Sequence, residues 1–366
     1  MRQKLVIVSA VNFSEGGPLT VLLDCLISAV DVLGSEWRIV ALVHKRSLVS
    51  NSRVHCIEFP FSKRSWVRRI GLEWCYFNKL SKKLQPDLWL SLHDVTPLVC
   101  AARQAVYCHN PSPFYRLTLR EAKLEPTLLL FSLFYKYLYR INIYSNRYVI
   151  VQQDWIRAAF RKMYSHPDVV VAHPTVHLLE YVPLAKVKSS EKTIFLYPAL
   201  PRVFKNFEVL CRAVECLSPT MQERITVRMT IDGSENCYAH SIVSRFGATI
   251  GLQFIGKQSL DNMLCQYTEC DVLLFPSKLE TWGLPITEAK AMGKPLLVAD
   301  LPYAKETVGL YADVLFLAPD DHLAWARKME EIVLGCCLYE ENESIQPKAP
   351  YAADWSELWK LLTAGL

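Results

Sequence analysis

Apolar, β-branched runs alternate with longer amphipathic stretches along the whole chain, and this alternation sets the expected architecture. Runs that read as strands begin near Leu5, Arg38, Asp87, Gln104 and Arg147. A second series begins near Thr193, Ile225, Leu252, Asp271, Pro295 and Val314. Successive runs are separated by helix-length segments, the spacing of β-α-β units and parallel sheets. Between the two series, residues 183–192 lack apolar periodicity and read as a linker. The pattern predicts two doubly wound α/β domains, 1–185 and 186–350, followed by a helical tail over 351–366. In open parallel sheets ligands bind beyond the carboxyl ends of the strands, so chemistry is expected at strand exits.

Composition narrows the picture. With 366 residues, 51% apolar and 21% charged, the chain can build a sizeable core and is not disordered. Its 13 glycines show no period, which argues against collagen, a solenoid or a propeller. The longest apolar run, Thr127 to Tyr135, is nine residues and borders Lys136 and Arg140, short of a spanning helix. The run from Leu5 ends at Ala10 without a small-residue cleavage site, so no signal peptide and a cytoplasmic protein are expected. The 12 cysteines form no C-x-x-C, and Cys25, Cys100 and Cys108 sit among apolar residues, as reduced thiols do. Neither H-E-x-x-H nor D-x-D occurs, so no metal and no cofactor are expected.

Charge is uneven. Residues 1–185 carry 23 Lys and Arg against 13 Asp and Glu, whereas the remainder carries 18 against 23. A basic first domain suits an anionic partner.

Four constellations carry candidate chemistry. The apolar run Asp271–Phe275 leads through Pro-Ser-Lys-Leu-Glu280-Thr281-Trp282-Gly283-Leu284-Pro-Ile-Thr-Glu288 into a helix, with Pro285 expected at its first position and Gly293 at its end. Glu280 then sits in a strand-to-helix loop and Glu288 about one turn into the helix. The backbone amides near Gly283 and Leu284 face outward at a positive helix end that suits phosphate. A loop carboxylate can accept hydrogen bonds from sugar hydroxyls, and a helical one can grip a ribose diol. Next, the run Thr193–Leu196 leads to Arg202 and Lys205, with Asn206 expected to cap the following helix. Two cations at a helix mouth neutralise a nucleotide diphosphate. Third, the first strand exits into Gly16-Gly17-Pro18, where backbone can approach a ligand closely, although a plain tight turn has the same sequence. No G-x-G-x-x-G accompanies it, so a nicotinamide or flavin site is not supported. Fourth, His109 stands at a strand exit, with His93-Asp94 at the exit before it.

Glu280 and Glu288, within E-T-W-G-L-P-I-T-E-A-K-A-M-G-K-P, resemble the E-x(7)-E signature of retaining glycosyltransferases, and more narrowly glycosyltransferase family 4 of the GT-B fold. The resemblance implies two Rossmann-like domains facing a central cleft, and a C-terminal helix that packs back on the N-terminal domain. It implies a hexosyltransferase-type enzyme that retains anomeric configuration and requires no metal. In the family the first Glu contacts the donor sugar and the second the nucleotide ribose, roles that fall on Glu280 and Glu288. Thr281, Trp282, Gly283 and Leu284 fall in the same donor loop. Lys205 matches the cation of the family's Arg/Lys pair, whereas Arg202 departs from its usual spacing. Gly16 and Gly17 resemble the family's Gly-Gly loop near donor phosphate and acceptor, and His109 its His that touches the donor sugar.

The stretch Lys63 to Lys83 carries seven cations and one acid, interleaved with Trp66, Trp74, Tyr76 and Phe77. That pattern, with the net positive charge of the first domain, favours an anionic membrane surface over an ordinary helix with aromatics in the core and solvated cations. The Leu-rich Pro126–Tyr139 segment borders a lipid acceptor or belongs to the core. No nucleic-acid module is present. The expected function is transfer of a sugar from a UDP- or GDP-linked donor to a saccharide or lipid-linked oligosaccharide acceptor. The setting would be surface-polysaccharide biosynthesis, lipopolysaccharide O-antigen or capsule, at the inner face of the cytoplasmic membrane. A non-catalytic partner subunit of an assembly complex and a same-fold sugar-nucleotide epimerase remain as alternatives.

Overall fold

The computed structural model describes residues 2–366 except 63–64, 167, 176–190 and 344, and only the backbone of 66 and 67. The expected linker at 183–192 therefore lies mostly outside the described residues. In chain order the strands are β1 Lys4–Ala10, β2 Trp37–Val43, β3 Val54–Glu58, β4 Leu88–Ser91, β5 Arg103–Cys108, β6 Tyr148–Val151, β7 Val169–Ala172, β8 Thr193–Tyr197, β9 Ile225–Met229, β10 Leu252–Phe254, β11 Val272–Phe275, β12 Leu296–Ala299, β13 Tyr311–Leu317, β14 Glu340–Asn342 and β15 Tyr351–Ala352. The helices are α1 Gly16–Leu33, α2 Trp66–Gly71, α3 Phe77–Leu84, α4 Leu119–Leu124, α5 Pro126–Arg140, α6 Asp154–Tyr164, α7 Phe207–Cys216, α8 Pro219–Glu223, α9 Cys237–Phe246, α10 Leu260–Glu269, α11 Leu284–Ala291, α12 Pro302–Val308, α13 His322–Leu334 and α14 Trp355–Thr363. A π-helical turn, Leu72–Tyr76, joins α2 to α3.

The chain forms two units. The first comprises Met1–Phe114, Phe131–Thr175 and Pro347–Leu366. Among the described residues its sheet runs β15-β7-β6-β5-β4-β1-β2-β3, parallel at every pairing. The central strands are buried on both faces, which is why their sequences read as unbroken apolar runs. The last segment of the chain is part of this unit. β15 pairs with β7, the Trp359 indole donates to the Cys25 carbonyl at 3.0 Å, and Trp355 stacks on Tyr107 at 5.5 Å. Buried Arg157 anchors the same segment by donating to the carbonyls of Lys348 and Pro350, at 2.6 and 3.1 Å.

Helix α1 corrects the expectation drawn from apolar runs. By length and composition it is long and apolar enough to cross a membrane, which the run at Thr127–Tyr135 is not. A run count misses it because Asp24 interrupts it. In the structure it packs Leu22, Cys25, Leu26, Ala29 and Leu33 into the core of the first unit.

The second unit comprises Tyr115–Leu130 and Val176–Gln346. Its sheet runs β10-β9-β8-β11-β12-β13-β14, parallel except for β14. Strand spacing alone puts residues 115–130 in the first domain, but the structure groups them with the second unit. The reason is specific: the Glu125 carboxylate accepts from the Arg202 Nε and from the Val203 amide, both at 2.7 Å, and Tyr115 packs edge-on against Phe204.

Candidate active site

In the second unit two strand exits carry the site. β8 opens through Arg202 into a short 3-10 turn, Val203–Lys205, and then α7. β11 opens through residues 276–283 into α11. The loops are tied together by the Lys278 amide, which donates to the Phe204 carbonyl at 2.7 Å, and the Tyr303 hydroxyl of α12 holds the second loop by donating to the Ser277 carbonyl at 2.7 Å. Asn206 stands at the N-cap position of α7 but does not cap it. Its backbone is left-handed (φ 59°), and its amide instead donates to the carbonyls of Pro276 and Pro319. The residue expected as a cap is thus a brace between loops.

This bracing brings Lys205 and Glu280 together as an ion pair, though they are 75 residues apart. Both side chains are mostly buried, at 16% and 12% exposure. The Lys205 ammonium also lies 5.7 Å from the ring centroids of Phe204 and Phe275. Arg202 is engaged elsewhere, by Glu125. Glu125 is the site residue that sequence reasoning missed. Its position just before Pro126 marks a helix end and gives no sign of a partner 77 residues away.

Helix α11 begins at Leu284, with Pro285 second rather than first. Gly283 precedes it at φ 90°, and an added Cβ would meet Ile286 and Phe275 at 3.3 Å, so the turn is reserved for glycine. Neither N-cap residue caps its helix through its side chain, but the Phe207 amide of α7 donates to the Tyr238 hydroxyl at 3.1 Å, whereas α11, with Pro285 second and the Ile286 amide bonded to the Gly283 carbonyl at 2.9 Å, presents the Leu284 amide at its mouth. Trp282 is buried and donates to Thr287 Oγ1 at 3.1 Å, and its carbonyl accepts from Thr307. That packing fixes the loop in which Thr281 is half-buried and Leu284 exposed. Glu288 accepts a hydrogen bond from the Tyr267 hydroxyl of α10. Burial pushes the Glu288 carboxyl up, against the opposing pull of that hydrogen bond.

The other predicted residues lie in the first unit. Gly16 (φ 65°) and Gly17 open α1, and a Cβ on either would meet nothing within 4 Å. His109, at the exit of β5, rests edge-on against Phe13 with its Nε2 3.6 Å from Asp94. Asp94 organises this region from a left-handed backbone (φ 67°). Its carboxylate accepts from the amides of His109 and Asn110 (2.7 and 3.1 Å) and from the hydroxyls of Tyr135 and Tyr139 (both 3.0 Å). Beside it, buried His93 contacts Ser9 Oγ at 3.0 Å and Glu73 at 3.3 Å, and Arg69 donates to Glu73 at 2.8 Å. Burial raises Glu73 to about 6 despite Arg69, and lowers His93 well below the ordinary imidazole range.

The basic stretch is divided by its packing. Residues 63–64 and the side chains of 66 and 67 lie outside the described residues. Within the rest, Phe77 and Glu73 are buried, while Arg68, Lys82 and Lys83 face solvent. Among the described residues no three His, Cys, Asp or Glu side chains gather in a way that could hold a metal ion.

Comparison with known proteins gives the following similarities. Residues 184–349 match the family model of glycosyl transferases group 1. Over 264 residues the chain is 21% identical to the O-antigen chain mannosyltransferase RfbU of Salmonella typhimurium, covering 71% of this chain and 68% of the relative. The fold is similar to that of WaaG, a glycosyltransferase involved in lipopolysaccharide biosynthesis, with a TM-score of 0.64 and 13% identity over 99% of this chain and 100% of that one. It is also similar to Anabaena HepE, solved in complex with UDP, with a TM-score of 0.57 and 15% identity over 91% and 89% of the chains. At such identities the likeness shows the fold, which is GT-B. Together with the family match over the second unit, it supports a glycosyltransferase.

Proposed function

We propose that the protein is a retaining glycosyltransferase that moves a sugar from a UDP- or GDP-linked donor to a saccharide acceptor, a lipid-linked oligosaccharide in surface-polysaccharide assembly. The observation that carries the reading is the Lys205–Glu280 pair beside the N-terminus of α11. In this reading the Lys205 ammonium and the backbone amide of Leu284 at the start of α11 take the donor diphosphate, Glu280 accepts from hydroxyls of the donor sugar, and Glu288 accepts from the ribose diol. The resemblance assigns His109 to the donor sugar and the Gly16-Gly17 turn to phosphate or acceptor, and a Cβ on either glycine would meet nothing within 4 Å.

The step needs no metal in this proposal, because the cation and the Leu284 amide stabilise the charge that develops on the leaving diphosphate. The acceptor oxygen bonds to the anomeric carbon on the face from which the diphosphate departs. The carbon–phosphate-oxygen bond breaks, and the acceptor proton passes to the leaving phosphate. The RfbU relative and the UDP complex of HepE support the polysaccharide and nucleotide parts of the proposal.

A thermal-shift screen with UDP, GDP, ADP and CMP tests it, since a ligand that binds only the folded state raises apparent stability. Stabilisation by one nucleotide, weakened by Glu288→Ala, is the expected result. No stabilisation by any of them, with donor or acceptor present, would favour a non-catalytic partner subunit.

A further inference from the structure

Helix α5 is held in one orientation by polar anchors. Tyr135 and Tyr139 point inward to Asp94, Leu128 is fully buried, and Tyr139 packs edge-on against Phe160 of α6 at 5.0 Å. With that face fixed, the opposite face is apolar and turned to solvent. Leu130, Leu133, Phe134 and Tyr137 follow the spacing of one helical stripe and are 55%, 49%, 59% and 56% exposed. The end of α6 adjoins it, since the Tyr164 hydroxyl donates to the Lys136 carbonyl at 2.6 Å, and there Met163 is exposed. A contiguous patch of large apolar side chains marks an interaction surface.

Charge selects the occupant. From Pro126 to His166 the sequence holds six cations (Lys136, Arg140, Arg147, Arg157, Arg161 and Lys162) and one acid, Asp154. That acid is neutralised by Arg157, while Arg140, Arg161 and Lys162 are exposed around the stripe. Lys136 lies over the Tyr137 ring at 5.1 Å, joining cation to aromatic at the same border. Leucine and phenylalanine between cations, with tyrosine at the edge, match the depth profile of an anionic bilayer: acyl boundary, headgroup ring, phosphate. A second copy of this chain docking through the same face would have to bring an acidic rim, and the stretch that forms this face supplies none.

We infer that the outer face of α5, with the end of α6, docks the protein on an anionic lipid surface. This deepens the lipid-linked acceptor in the proposed function and rests on that reading for its purpose. This face is separate from the basic stretch 63–83, where Phe77 is turned into the core while Tyr76 is exposed.

The test is co-sedimentation of the full chain with vesicles of phosphatidylcholine alone and of phosphatidylcholine with phosphatidylglycerol, without donor or acceptor. Failure here is therefore separate from failure of the transferase reading, which nucleotide stabilisation reports. Binding is expected only to the anionic vesicles and to weaken with salt. Leu133→Ser with Phe134→Ser should reduce it by about tenfold or more while leaving nucleotide-induced stabilisation unchanged. Arg140→Glu with Lys162→Glu should remove the preference for anionic lipid. Unchanged binding in both variants would overturn the inference. So would a dimer, seen by sedimentation velocity, that the apolar variant converts to monomer while wild type ignores both kinds of vesicle.

Discussion

Lys205 and Glu280 neutralise each other across the mouths of two strand-to-helix loops, each nearly buried and each the other's charged partner. Neither loop alone would keep its charge in place. A buried ammonium or carboxylate is costly when unpaired, so the pair holds the site formed before a donor arrives. In the proposed function, incoming diphosphate takes over part of the ammonium's hydrogen bonding. Lys205→Ala should lower nucleotide affinity by about 1.5–3 kcal/mol, roughly tenfold to a hundredfold, as loss of a charge-assisted hydrogen bond does. Arg202→Ala should cost much less, because Glu125 already occupies that guanidinium. Equilibrium titration of both variants with UDP and GDP checks the order.

Glu288 gives a pH signature. Its carboxyl is raised by burial, and the Tyr267 hydroxyl opposes the rise by donating to the ionised form. Donor affinity should therefore fall as pH drops through a range above that of an ordinary carboxylate. Tyr267→Phe removes the opposing hydrogen bond, so the carboxyl rises further and the acid limb of the affinity profile moves to higher pH. A profile that stays in place would show that Glu288 does not carry the acid limb.

Glu73 gives a second, independent one, in stability. Its folded value of about 6 stands above an ordinary glutamate near 4.5, because burial outweighs the attraction of Arg69. The folded protein therefore holds this proton more tightly than the unfolded chain. The resulting stabilisation is full below about 4.5 and is lost as pH rises through about 6, an effect of about 2 kcal/mol. Arg69, His93 and Asp94 surround the group and are unchanged in Glu73→Gln, which should flatten the stability profile of the first unit over that window. Denaturant unfolding at a series of pH values measures it.

Much of this arrangement is readable from the chain, and the unread parts have physical causes. Strands such as Val272–Phe275 and Leu296–Ala299 are buried on both faces, so their composition announces them, and the glycine at 283 marks the turn between strand and helix. β3, β14 and β15 escape because edge or very short strands carry little apolar signal, and β7, an internal strand of four buried residues, is also absent from the expected series. The excursion of residues 115–130 to the second unit escapes for another reason. It depends on Glu125 meeting Arg202 and Val203, contacts that no local period encodes. Likewise, pattern places Glu280 in a loop and Lys205 at a helix mouth, but only the folded sheet, with β8 beside β11, makes them a pair.

Asp94 predicts a structural dependence in the first unit. Asp94→Ala takes their carboxylate acceptor from the His109 amide and the buried Tyr135 hydroxyl, leaves the Asn110 amide and the Tyr139 hydroxyl only each other's residue to bond, and should destabilise that unit by about 2 kcal/mol or more. Tyr135→Phe removes one donor only and should cost about 1 kcal/mol. In the Asp94→Ala background the same Tyr135→Phe change should cost almost nothing, since its partner is already gone. Equal costs in both backgrounds would contradict the shared network.

The central claim is that the second unit holds a nucleotide-activated sugar through Lys205, Glu280 and Glu288. Isothermal titration of the purified protein with UDP-glucose and GDP-mannose, repeated with Lys205→Ala and Glu288→Ala, tests it most directly. The account predicts saturable binding of one donor class that weakens in both variants. Binding that is absent for nucleotide-sugars of every base, or that persists undiminished in both variants, would contradict it.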